Sequence, residues 1–220
     1  GRMYVIRGWR PAGPSPALRG GGMWVMPAVP CAGQRPGAWR MPSVFTHAAI
    51  PLALWCACDR GRIAAPLLAA GVVAAMLPDA DVLAFALHIP YADSFGHRGA
   101  SHSIVFAAVL AVLAAALHTR LRASAVQAAA FVGISALSHP LLDALTSGGL
   151  GVALWWPWSG ERLFAPWRPI RVSPFAGQFF SPRGLAAVLS ELRWVWLPLA
   201  AAVIGRRLIQ RAPVDTRTPQ

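Results

Sequence analysis

The stretch GHRGASHSIVFAAVLAVLAAAL (Gly96–Leu117) decides the fold. From Ser103 onward it carries no charged residue, and nothing in it breaks a helix. It is apolar on every side, so it suits burial in hydrocarbon rather than a half-solvated surface. Its opening is the opposite: His97, Arg98, Ser101, His102 and Ser103 gather at the helix mouth. A chain about to enter an apolar medium has no packing reason to collect ligand-type side chains there. The rest of the sequence has to supply one.

Hydrophobic residues make up 56% of the 220 residues and charged residues 13%, with a mean hydropathy of +0.49. A soluble domain of this size carries roughly twice that charge. From Met41 onward five apolar segments are expected: Ser43–Cys58, Ile63–Leu77 closed by Pro78, Ser103–His118, Ala123–Leu145 and Leu185–Ile209. The last is interrupted by Glu191 and Arg193. A short amphipathic helix over Asp81–His88 is expected at the interface. The predicted fold is therefore an all-α integral membrane protein of about five apolar helices.

The domain reading has three parts. Residues 1–40 hold eight glycines, six prolines, six arginines and no acidic residue, a composition that cannot build a core and reads as a disordered or spurious extension before Met41. Residues 41–210 form the membrane domain, and residues 211–220 a polar tail. The net charge of +12 comes from twenty arginines and no lysine. Many of these lie between apolar runs, where topology accounts for them better than nucleic acid. Arg60 and Arg62, Arg120 and Arg122, and Arg206, Arg207 and Arg211 all fall on one side of a five-span chain, which the positive-inside rule assigns to the cytoplasm. The three cysteines make no disulfide framework, and Cys56 and Cys58 read as small buried residues.

The same topology sends the ligand-type residues to the other side. His47, Asp79 and Asp81 of LPDAD, His97 and His102, and His139 and Asp143 of SHPLLDALTSGG all fall at one set of span ends. His118 falls at the opposite end and is excluded, and His88 and Asp93 read as surface residues. Ionisable groups near hydrocarbon need partners or a cation. Histidine nitrogen with aspartate oxygen suits zinc or manganese. His139 and Asp143 share a helix face, Gly96 and Gly99 let the chain bend, and Ser101 is placed to cap the third helix. Seven candidate ligands exceed one tetrahedral zinc, so either up to three ions bind or some residues orient the others. Asp79 or Asp81 is the candidate general base. Arg98 either clamps a phosphate oxygen or pairs with an aspartate.

FTHAAIPLAL, LPDAD, GHRGASHS and SHPLLDALTSGG, followed by LWWPWSGERLFAPW, resemble the YdjM-type inner-membrane family over Met41 to about Pro169. Members of that family are described as metal-dependent hydrolases and also labelled LexA-binding. The resemblance implies that His47, Asp79, Asp81, His97, His102, His139 and Asp143 are metal-site positions. It also implies a distant likeness to the helical zinc-dependent phospholipase C and P1 nuclease folds, and a LexA-type repressor as a partner.

The functional expectation is a multi-pass protein of the bacterial inner membrane with its site on the outer side. It would hydrolyse a small-molecule or lipid phosphoester with metal-activated water. Asp79, Asp81 and Arg98 would be its catalytic residues, and its divalent metal would be zinc, with manganese as a substitute. Trp155, Trp156 and Trp158 either anchor the chain among membrane lipids or roof the site, with Arg162 or Arg168 meeting a lipid phosphate. The alternatives are a non-enzymatic metal-binding transporter or scaffold, and a repressor- or nucleic-acid-associated membrane protein.

Overall fold

The computed structural model of the protein describes residues 40–41, 44–59, 61–174 and 181–211. The expected N-terminal extension and C-terminal tail lie outside the described residues, apart from Arg40 and Arg211. The regular elements of the described chain are helices, apart from one two-residue antiparallel pairing, β1 (Arg40–Met41) with β2 (Ser173–Pro174), and isolated bridges of Thr146 with Ile170 and Val152 with Leu163.

The chain enters through α1 (Val44–His47) and, after a turn at Ala48, α2 (Ala49–Ala57). α3 (Ala65–Met76) has Pro66 in its first turn, where the missing N–H costs nothing. Pro78 then tightens the helix into a 3-10 segment, Leu77–Val82, followed by the single turn of α4 (Leu83–Ala86). The amphipathic helix expected over Asp81–His88 is thus mostly the end of a continuous apolar stretch, Ala65–Ala86.

α5 (Ile104–Ala116) is capped by Ser103, whose hydroxyl accepts from Phe106 N at 3.1 Å. Ser101 does not cap it. A 3-10 turn at Ala100–His102 precedes the helix and moves the cap two residues on. α6 (Ala125–Ala144) is capped in the same way by Ser124, which accepts from Gln127 N at 3.2 Å. The C-terminal stretch runs through α7 (Pro182–Glu191), a π-helical turn at Leu192–Trp196 and α8 (Leu197–Arg211).

Among the described residues three helical stretches are long and apolar enough to cross a membrane: Ala65–Ala86, Ala125–Ala144 and Pro182–Gln210. Ile104–Ala116 is a shorter apolar helix. The expected apolar segments are thus helical among the described residues, three of them in stretches long enough to span. The first apolar segment breaks at Ala48, and its nine-residue α2 reaches only about 14 Å.

α6 is the central post, with α3 and α5 packed on it, while α2 packs on α3 and α8. The core between α3, α5 and α6 is built largely of alanines (Ala74, Ala107, Ala114, Ala128, Ala136) around Leu67, Phe131 and Val132. Small residues let helices approach closely where lipid offers no hydrophobic drive to associate. Gly71 marks the tightest approach, because a Cβ there would enter the Phe131 ring. The helices alternate in direction, so the C-terminal end of α3, the N-terminal end of α5 and the C-terminal end of α6 meet at one end of the bundle.

Candidate metal centre

That end holds the polar interior of the protein. Asp79 and Asp81 come from the 3-10 segment after α3, and His102 from the turn before α5. His139 and Asp143 sit one turn apart on α6, and His47 closes α1. His47, His102, His139 and Asp143 have no solvent exposure, and Asp79 has 5%. Ligand atoms of Asp79, His102, His139 and Asp143 all lie within 4.8 Å of one another.

The hydrogen bonds fix which ring nitrogens face inward. His102 Nδ1 lies 3.1 Å from Asp81 Oδ2 and 3.0 Å from Ser101 Oγ, whose own proton goes to that same carboxylate oxygen at 2.7 Å. Only acceptors surround Nδ1, so Nδ1 carries the ring proton. His139 Nδ1 meets the Ala75 carbonyl at 2.7 Å and must be protonated for the same reason. The two Nε2 atoms then face each other at 3.0 Å. Two bare lone pairs at that distance repel, so a positive charge belongs beside them: an added proton or a metal ion. Two nitrogens each about 2.1 Å from one zinc ion stand roughly 3–3.5 Å apart. The carboxylates agree with this. Neither Asp79 nor Asp143 makes a hydrogen bond through either side-chain oxygen, although imidazoles and a guanidinium lie at ion-pair distance. His139 Nε2 is 3.5 Å from Asp79 Oδ1, and His102 Nε2 is 3.3 Å from Asp143 Oδ2. The donor set fits a divalent cation.

His47 lies against this group. Its ring stacks on His139 with centroids 3.7 Å apart, and its Nε2 is 3.6 Å from Asp143 Oδ1 and 3.8 Å from Asp79 Oδ2. Asp81 and His97 stand one layer out. Asp81 takes His97 Nδ1 at 2.5 Å on one oxygen. The other oxygen receives Arg98 N at 2.9 Å, Ser101 Oγ and His102 Nδ1. It has no capacity left for an ion, and its place is that of an orienting carboxylate.

Arg98 is wholly buried. Its Nε meets Asp143 Oδ2 at 2.9 Å, and its Nη1 donates to Gly148 O at 3.0 Å and Thr146 Oγ1 at 3.2 Å. Its backbone sits at φ +62°. Gly99 next to it is required by close approach, since a Cβ would strike the Ser94 carbonyl. Of the two readings of Arg98, the geometry selects pairing with an aspartate. Burial alone would depress the His102 imidazole, but the carboxylates of Asp143 and Asp81 outweigh it and push it up to about 9.

The tryptophan-rich segment is mounted on the same walls. Ala153 N donates to Arg98 O at 3.0 Å, and Ile104 N to Leu154 O at 3.1 Å. Arg162 donates to the carbonyls of Asp93 (2.8 Å), His97 (2.9 Å) and Tyr91 (3.2 Å). Burial lowers the Arg162 pKa and raises that of Tyr91. Arg162 is therefore a fastener of the His97 loop. Arg168 is exposed and lies over Phe164, 4.7 Å from the ring centroid. Trp155 and Trp158 are 46% and 78% exposed.

A sequence profile of the YdjM inner membrane protein family matches residues 41–214. The chain belongs to the YdjM inner membrane protein family. It is 49% identical over 160 residues to the inner membrane protein YbcI of Escherichia coli (strain K12), covering 72% of this chain and 92% of that protein. No solved structure matches the chain, so the likeness to phospholipase C and P1 nuclease expected from the sequence is not shown. Family and apolar helices together place the protein in the inner membrane.

This YdjM-family chain brings together all the positions expected at its site, but in layers rather than as seven equal ligands. The sequence reading missed Thr46 and Glu191. Thr46 Oγ1 donates to Glu191 Oε2 at 2.6 Å, both residues being buried. The available signal was the acid itself, an ionisable residue inside an apolar span.

Proposed function

We propose that the centre holds one divalent cation, with zinc the metal that suits its donors, and that the protein hydrolyses a phosphoester at the membrane surface. One observation carries the reading: the facing Nε2 atoms of His102 and His139, with both outer ring protons already committed to acceptors. Charge supports a single ion. Asp79, Asp81 and Asp143 bring three negative charges and Arg98 one positive, leaving two for a divalent cation to neutralise in a nearly dry interior. Asp79, His102, His139 and Asp143 would hold the ion, with His47 completing the shell. Such an ion polarises a phosphoryl oxygen and acidifies water.

The chain's own groups divide the remaining work. Asp79 is the candidate proton acceptor, because its oxygens are free of hydrogen bonds whereas the carboxylate of Asp81 already accepts from four donors. Arg98 holds Asp143 in place. Exposed Trp155 and Trp158 suit the headgroup layer and set the centre at the depth of a lipid phosphoester. Arg62, Arg120, Arg122, Arg206 and Arg207 sit on elements at the other end of the bundle, so we orient the centre outward.

The near-complete burial of the ligands favours a second reading, an ion that only stabilises the fold. Metal analysis of purified wild type against His102→Ala and Asp143→Ala tests the shared premise. The expected result is about one equivalent in wild type and loss in both variants. Equal content in all three removes both readings. Hydrolysis of phosphodiester or phospholipid substrates that disappears with the metal then selects the enzyme, and an inert metal-loaded protein selects the structural ion.

A further inference from the structure

His102 and His139 are each held by their outer ring nitrogen, through Asp81 and the Ala75 carbonyl. His47 has no such tether, as neither of its ring nitrogens makes a hydrogen bond. Its stacking on His139 leaves the ring without a directional hydrogen bond, so its backbone position matters more. The residue before it is Thr46, gripped from two directions: its Oγ1 donates to Glu191 Oε2 at 2.6 Å and accepts from Trp196 Nε1 at 3.4 Å.

Glu191 immediately precedes the π-helical turn Leu192–Trp196, and Trp196 is its last residue. In a regular α-helix, residues five apart point about 140° away from each other. The i→i+5 spacing of a π turn brings them nearly onto one face. The extra residue in the turn is what lets both side chains reach one hydroxyl. Pro198 follows, with no N–H for the helical ladder, which favours an irregular turn at this place. Glu191 is 2% exposed, inside a stretch long and apolar enough to span a bilayer. A carboxylate at such a place is costly without a role.

We propose that Glu191 is a positioning residue that, through Thr46, holds His47 at the metal centre. The inference rests on the metal reading above. It makes the C-terminal helix, which supplies no ligand, a determinant of ligand geometry.

The test is cobalt(II) titration of the full-length protein in detergent, following the visible absorption whose intensity and position report the number and type of ligands. Thr46→Val keeps the side-chain shape and removes only the hydroxyl, while Glu191→Ala removes the acceptor. Both are expected to weaken cobalt binding at least tenfold and to change the spectrum, in line with the 10- to 100-fold cost typical of outer-shell partners. Glu191→Gln still offers Thr46 an oxygen and is expected to keep both affinity and spectrum within a few-fold of wild type. If Glu191→Ala does not fold, Thr46→Val decides alone. Wild-type affinity and spectrum in Thr46→Val overturn the proposal, as does equal loss in Glu191→Gln. If wild-type protein binds no cobalt, the metal reading fails and takes this one with it.

Discussion

Replacing Asp81 with asparagine tests the layered description of the centre most directly. Asp81 receives four donors: His97 Nδ1 (2.5 Å), Arg98 N (2.9 Å), Ser101 Oγ (2.7 Å) and His102 Nδ1 (3.1 Å). An asparagine offers one oxygen, and its NH2 faces donors on the other side. With the amide oxygen kept toward His97, the NH2 opposes Arg98 N–H and His102 Nδ1–H. The His102 ring then loses the acceptor that fixes its tautomer. The proton moves to Nε2 and removes the lone pair aimed at Asp79, Asp143 and His139. Loss of such an outer carboxylate costs about 10- to 100-fold in metal affinity, or roughly 1.4–2.7 kcal/mol at 1.4 kcal/mol per tenfold. Zinc titration against a competing chelator measures it, with thermal unfolding in chelator checking that the variant is folded. A folded Asp81→Asn protein with wild-type zinc affinity would refute the assignment of Asp81 to orientation.

Three other outcomes follow from the same geometry. Arg98→Gln leaves the Asp143 carboxylate buried without its 2.9 Å partner; breaking a buried pair costs about 3–5 kcal/mol, so a clear fall in Tm is expected, and an unchanged Tm would contradict the pairing. Ser103→Ala should lower stability by about 1 kcal/mol through loss of the α5 cap, whereas Ser101→Ala should weaken zinc binding more than it lowers Tm; a reversed pattern would put the cap back at Ser101. The His102 imidazole, raised to about 9 from an ordinary 6.5, stabilises the metal-free protein through its proton below pH 6.5, and that contribution fades as pH rises through 9. A metal ion must displace the proton, so the gain in Tm on adding zinc to chelator-treated protein should grow from pH 6.5 to 9; a flat profile would mean that no proton is released.

The site was more legible in the sequence than the spans. His47, Asp79, His102, His139 and Asp143 could be assigned to one end of a bundle because helix direction alternates along the chain, and that count survives errors in helix length. The apolar helices were legible as well, but their lengths were not. The turn at Ala48 and the tightening at Pro78 depend on local backbone geometry that hydropathy does not register. Nor could the sequence rank the seven ligands. Asp79 and Asp81 are two residues apart in one short motif, yet one lies among the inward-facing imidazoles and the other is filled by four donors. The difference is set by the curl of a 3-10 segment and by where Arg98 and Ser101 fall against it. Nor did the sequence show that Arg162 fastens a loop, since its three carbonyl partners come from some seventy residues earlier.

The length of α2 has a consequence for the lipid around it. Nine residues reach about 14 Å, and the thirteen of α5 about 20 Å, against hydrocarbon of roughly 30 Å. α2 stops partway, and the carbonyls at its end are met by arginines from α8: Arg206 Nε at Ala57 O (2.9 Å) and Arg207 Nε at Cys56 O (2.8 Å). On that flank α2 is about 16 Å shorter than the hydrocarbon thickness, a mismatch that local thinning or admitted water would accommodate. Thin membranes should host the protein with less distortion than thick ones, and lipids crowding that flank would meet guanidinium groups well below the usual headgroup plane.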